Sequence, residues 1–180
     1  MRTRNKLGLA AAALVVVIGW LALSAVVRHG FSARDQPTAV EAFVARQLRR
    51  LSVPSAARRA PNPVTLTDEV LAKAREHFAD HCALCHGNDG RGDTQIGRNL
   101  YPKAPDMQAA ETQSLSDGEL FYVIENGVRL TGMPAWGKGS SHDDEASWHL
   151  VHFIRHLPDM TPSEIAEMED LNPRSHRHRH

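Results

Sequence analysis

Cys82-Ala83-Leu84-Cys85-His86 is the stretch on which the reading of this chain turns, and it holds both cysteines of a 180-residue sequence. Two thiols at this spacing suit a redox dithiol, half of a zinc site, or a pair of covalent tethers. A structural zinc site takes about four ligands and usually a second Cys/His pair, and a thioredoxin-like dithiol follows a strand inside a βαβ unit. The surrounding sequence offers neither. Histidine directly after the second cysteine gives instead the pattern of c-type haem attachment. About one turn of chain then carries the sulfurs of Cys82 and Cys85 to the vinyl edges of one covalent haem c and leaves His86 under the iron.

Working outward, the residues before the motif predict a helix. Thr67 with Asp68 and Glu69 forms a start signal, and Val70, Ala74 and Phe78 recur at four-residue steps, giving a buried face that runs into Cys82. From Gly87 to Met107 no periodicity persists, and Gly87, Gly90, Gly92 and Gly97 with Pro102 and Pro105 indicate loops that wrap a cofactor edge. Ser116-Asp117-Gly118-Glu119 is a capping box opening a second helix to about Glu125, with Leu120, Val123 and Ile124 inward. A loop, Thr131-Gly132-Met133-Pro134-Ala135-Trp136-Gly137, precedes a third helix from about Asp143 to Leu157, which stops before Pro158. Thr161-Pro162-Ser163-Glu164 caps a last short helix over 162–171. No segment reads convincingly as a strand, so the predicted class is all-α.

The second axial ligand separates an electron carrier from a haem that binds exogenous molecules. Met133 is the candidate, because Gly132 and Pro134 on either side fix the backbone around its thioether. A neutral sulfur ligand favours reduced iron and raises the potential. The bland alternative is a core gap filler, and Met107 and Met160 are competing thioethers in less constrained settings. His81, next to Cys82, is expected to be aimed away from the iron by its helix.

Taken together, Phe78 through His86, Gly87, Leu100 with Tyr101-Pro102, the Ser116 to Ile124 helix and the Thr131 to Trp136 loop resemble the class I, mono-haem cytochrome c domain of the bacterial kind. The resemblance covers roughly residues 67–158. It implies a small helical domain wrapped around one covalent haem, with Cys82 and Cys85 as tethers, His86 as proximal and Met133 as distal ligand. It also implies a proline carbonyl that accepts the proximal imidazole N–H; Pro102 is the better match and Pro105 the reserve.

Residues Leu7 to Val27 are apolar almost throughout, with Arg2, Arg4 and Lys6 before them and Arg28 after. That length crosses a bilayer and exceeds the apolar stretch of a cleaved signal peptide. The reading is an uncleaved single-pass anchor in a bacterial cytoplasmic membrane, basic end inside and haem domain in the periplasm; cleavage near Ala22-Leu23-Ser24 is the alternative. Thr38-Ala39-Val40-Glu41 caps a short amphipathic helix with Val40, Phe43, Val44, Leu48 and Leu51 on one stripe. Membrane contact and packing on the globular domain are both open for it. Pro54, Pro61 and Pro63 mark an extended linker. The expected organisation is an anchor over 1–29, a basic stalk over 30–66, a cytochrome domain over 67–160, and a short helix with a His/Arg-rich tail over 161–180.

The balanced total charge hides a segregation. Arg28 to Leu66 holds seven Arg against two acids, whereas Thr67 to Pro173 holds eight Lys/Arg against nineteen Asp/Glu, a difference of minus eleven. The acidic part suits steering toward a basic redox partner and the basic part an anionic lipid surface. With both axial positions filled by protein and no nucleophile–base arrangement in evidence, the reading is an electron carrier or the small subunit of a larger redox enzyme, not itself an enzyme. A membrane dehydrogenase or oxidase is the expected partner class, and nucleic acid is not. The rivals are a haem-based gas sensor and a metal-handling protein. The latter would use His149, His152 and His156, a stripe expected to be exposed, or the terminal His176, His178 and His180.

Overall fold

The computed structural model describes residues 2–30, 32–137 and 145–172. The expected start of the third helix at Asp143 and the His-rich tail lie outside them. The chain divides into two units, Met1–Asp35 and Gln36–His180. The first is helix α1, Arg2–His29, whose stretch Gly8–Arg28 is 21 residues of apolar helix.

Among its described residues, the second unit has only helices as regular elements. It contains α2 (Ala39–Ser52), α3 (Ser55–Arg59), α4 (Asp68–His77), α5 (Ala83–His86), α6 (Ala110–Gln113), α7 (Asp117–Asn126), α8 (Glu145–His156) and α9 (Pro162–Leu171). All four of the expected caps are made, with Thr38 accepting from the Glu41 amide. Thr67 accepts from the Val70 amide, and Ser116 and Thr161 each form a reciprocal capping box with Glu119 and Glu164. The core forms where α4, α7, α8 and α9 bring their apolar faces together, and Phe78, Phe153, Leu157, Met168 and Val151 are its fully buried large side chains. Phe78 meets Phe153 at 4.9 Å between ring centroids, and Phe121 stacks on Trp148 at 4.0 Å. Arg155 fastens α8 to the start of α7, with Nε and Nη2 donating to Asp117 at 3.0 and 2.8 Å and Nη1 to the Gln113 carbonyl at 2.7 Å.

Two expectations change. The proline-rich segment is not an extended linker: it forms α3 and docks on the helical core. Val53 is buried, the Arg58 carbonyl accepts from Ser116 at 2.7 Å, and Asn62 donates to the Trp148 carbonyl at 3.0 Å. The prolines end helices here without freeing the chain, because neighbouring side chains satisfy its backbone groups. The second change is in α4, whose α-helical hydrogen bonding gives way to a π turn over Phe78–Cys82, with the Ala83 amide bonded to the Phe78 carbonyl. One extra residue in that turn rotates everything after it by about 100° relative to a regular helix.

The Thr161 box also sets an acid-side dependence. Hydrogen bonding first from the Thr161 backbone and then from His156 holds the Glu164 carboxyl down at about 2, against an ordinary 4.5. A carboxylate depressed on folding contributes stability above its unfolded value and loses it as pH falls toward its folded value. Between pH 4.5 and about 2, thermal stability should therefore fall more steeply in the native chain than in Glu164→Gln. Parallel acid-side curves for the two proteins would show that the contact adds nothing.

Candidate haem site

The Cys-x-x-Cys-His stretch occupies the π turn and the short helix α5, which ends at Gly87. Burial, and secondarily the neighbouring Cys85, pushes the Cys82 thiol up to about 12. That is opposite to the lowered thiol of a dithiol oxidoreductase. The two cysteines are not joined in a disulfide. His86 is 7% exposed, and burial pulls its imidazole down to about 4, against which the Pro105 carbonyl acts to raise it. The ring is therefore neutral at neutral pH, with a lone pair on one nitrogen.

Loop residues after the motif fold back over it. The Thr94 hydroxyl donates to the Leu84 and Cys85 carbonyls, 2.9 and 3.1 Å away, and accepts from the Gly97 amide at 2.8 Å. The Gly92 amide donates to the His86 carbonyl at 2.6 Å and the Met107 amide to the Gly90 carbonyl at 2.8 Å. Glycine is required at two of these positions. At Gly92, with φ +73°, a Cβ would lie 2.4 Å from the Ala104 oxygen, and at Gly97 it would lie 2.2 Å from the Cys85 oxygen. Thr94 was not singled out in the sequence; a lone threonine in a glycine-rich loop carries no signal of the contact it will make.

This lacing corrects the proline assignment. The carbonyl acting on His86 is that of Pro105, not Pro102, because the chain over 104–107 is drawn against the turn that follows the motif. Nδ1 of His86 is buried and completes no hydrogen bond of ordinary geometry.

The methionine loop is anchored to the end of α7. The Val128 amide donates to the Met133 carbonyl at 3.1 Å, Thr131 Oγ1 accepts from the Met133 amide at 3.1 Å, and the Trp136 amide donates to the Ile124 carbonyl at 3.1 Å. Gly132 lies against the Leu100 side chain, and the Trp136 ring meets His81 edge to face at 5.2 Å. Through Gly97 and Leu100 on one side, and His81 and Trp136 on the other, the loop that carries Met133 is tied to the Cys82–His86 turn. The competing thioether Met107 belongs to the hydrophobic core, and Met160 packs against it.

The α8 histidines are not an exposed stripe. His149 is buried with Nε2 3.5 Å from Glu145, His152 donates to the Val64 carbonyl at 2.8 Å, and His156 meets Glu164 at 2.9 Å. The docked proline-rich segment and α9 cover the side that a helical wheel leaves open. Each ring has a separate neighbour, and the described residues hold no group of three ligands able to take a metal ion.

The residue set fits a covalently held haem: two thiols, a buried neutral imidazole with an acceptor carbonyl beside it, and a thioether on a braced loop. Comparison with known proteins points the same way. Residues 69–154 match the family model described as cytochrome C oxidase, cbb3-type, subunit III. Over 86 residues the chain is 29% identical to the thiosulfate dehydrogenase of Stutzerimonas stutzeri (strain A1501), covering 47% of this chain and 26% of that protein's length. Among solved structures it resembles a chain of the reducing HAO-like protein complex of Kuenenia stuttgartiensis, at 23% identity and a TM-score of 0.46, over 53% of this chain and 46% of the other. The chain carries a mono-haem c-type cytochrome domain, all-helical, whose cofactor is one covalently bound haem c.

Proposed function

We propose that this chain is a membrane-anchored electron carrier, or the small cytochrome subunit of a larger redox enzyme, with its haem held between His86 and Met133. The observation that carries the reading is the bracing of the Met133 loop against the Cys82–His86 turn through Gly97, Leu100 and Gly132. When bound, the haem supplies a one-electron couple. In this reading Cys82 and Cys85 hold it by thioether bonds and His86 and Met133 bind the iron. The Pro105 carbonyl fixes the orientation of the imidazole and strengthens it as a ligand.

The apolar stretch Gly8–Arg28 is long enough to span a bilayer, and the basic residues before it favour a cytoplasmic N-terminus. Residues 1–29 are then an anchor and the cytochrome domain is periplasmic, on the membrane face where thioether attachment is carried out. The relatives named above are an oxidase subunit family and a thiosulfate dehydrogenase, which supports a redox enzyme as partner.

Residues 67–173 carry nineteen acids against eight basic residues, and such a field changes association rate more than affinity. Stopped-flow oxidation of the reduced full chain by a basic redox protein should slow several-fold as ionic strength rises from about 0.01 to 0.2 M. A rate indifferent to salt would sink electrostatic steering, and a reduced chain that passes no electron to any redox acceptor would sink the carrier reading itself.

A further inference from the structure

Helix α2 is attached to the rest of its unit by its polar side. The Tyr101 hydroxyl donates to the Glu41 carboxylate, the Arg50 carbonyl accepts from the Arg58 guanidinium, and Ala42 and Arg49 are half-buried. Its apolar residues point the other way: Val40, Phe43, Val44, Leu48 and Leu51 are 47–79% exposed. At 100° per residue these five occupy an arc of about 140°, interrupted by Gln47, with Arg46 and Arg50 along one border. An amphipathic helix that packs on its own protein buries its apolar stripe; this one presents it outward.

We propose that α2 lies in the headgroup region of an anionic bilayer, with the Val40–Leu51 stripe in the acyl boundary and Arg46 and Arg50 against lipid phosphates. The proposal rests on the reading of residues 1–29 as an anchor.

Charge complementarity selects the lipid surface. The segment Arg28 to Leu66 holds seven Arg and two acids, and one of the acids, Glu41, is already engaged by Tyr101. Basic residues near an anionic surface are drawn to it within a Debye length. Covalent reach gives a second argument. Only residues 29–38 separate Arg28, the end of the apolar span, from Ala39, the start of α2, and ten residues extend at most about 36 Å. The bilayer surface where the span emerges is therefore always within range of α2, at high effective concentration. An apolar span followed by a basic-bordered amphipathic helix provides the two signals that hold a domain close to a membrane.

The test uses the full haem-loaded chain in liposomes containing phosphatidylglycerol, with nitroxide labels on single cysteines introduced at Val44, Leu48 and Leu51 and, on the other face, at Ala42 and Ala45. The proposal expects labels at 44, 48 and 51 to meet lipid-soluble oxygen several-fold more readily, relative to a water-soluble nickel chelate, than labels at 42 and 45. It also expects Arg46→Gln/Arg50→Gln to reduce that contrast at least twofold. Water-like accessibility at every position overturns it. Protection of the apolar face from both reagents overturns it too, in favour of a protein partner. Alkaline carbonate extraction separates this outcome from failure of the anchor: a chain retained in membranes with a water-exposed α2 refutes only the helix placement, whereas an extracted chain refutes the span.

Discussion

Replacing Met133 with alanine should leave the haem covalently attached, remove the weak far-red absorption band of sulfur-ligated ferric haem, and lower the reduction potential by on the order of 0.1–0.3 V, within the roughly 0.8 V range that axial ligands command. The reduced variant should bind carbon monoxide, which the native reduced chain should exclude. The direction follows from the chemistry of the thioether, a neutral soft ligand that stabilises the ferrous state. The Met133 loop is braced independently of its sulfur, by the Val128 amide on the Met133 carbonyl and by Gly132 against Leu100. The substitution should therefore empty the ligand position without collapsing the loop. A native absorption spectrum in the variant would mean that another residue occupies the distal position. Carbon monoxide binding by the native chain would favour a gas-binding function.

The second large effect is on stability. Phe153→Ala should cost about 3–5 kcal/mol, measured by denaturant unfolding of the haem-loaded protein. Phe153 is fully buried and packs against Phe78, the first residue of the π turn that leads into Cys82. The truncation removes contacts on both sides, and α4 and α8 are too tightly engaged to close the space. Because domains of this size are stable by only about 5–15 kcal/mol, such a loss is a large share of the total. A cost below about 1 kcal/mol would mean that the Phe78–Phe153 pair is peripheral to the core.

What the sequence disclosed divides by the range of the interaction. The caps at Thr67, Ser116 and Thr161 are local contests for orphan amides, decided within three residues, and each was legible. The all-α class and the Cys82 to His86 motif were equally legible, because period and spacing are properties of short windows. The segment Pro54 to Pro63 was misread because its prolines advertise a linker, while its docking depends on Trp148 and Ser116, far along the chain. The choice between Pro102 and Pro105 turned on how far the loop over 104–107 is pulled toward Gly92, which no local pattern encodes. For His149, His152 and His156 the helical wheel gave the right arc and the wrong environment, since Val64 and Glu164 cover it from segments outside α8. The π turn at Phe78–Cys82 has no sequence signal of the kind that marks a cap or a turn.

The docked segment over 53–64 also determines where this protein can be cut. A fragment starting at Thr67, where the helix signal begins, would remove Asn62 and Val64, which hold the Trp148 carbonyl and the His152 ring against the segment before the domain. A fragment starting at Arg34 would keep those partners but carry the apolar stripe of α2 into bulk water, where exposed patches promote self-association. Val53, which is buried, marks the narrow interval between these two failures, so the colloidal behaviour of any soluble piece depends on a few residues at its first end.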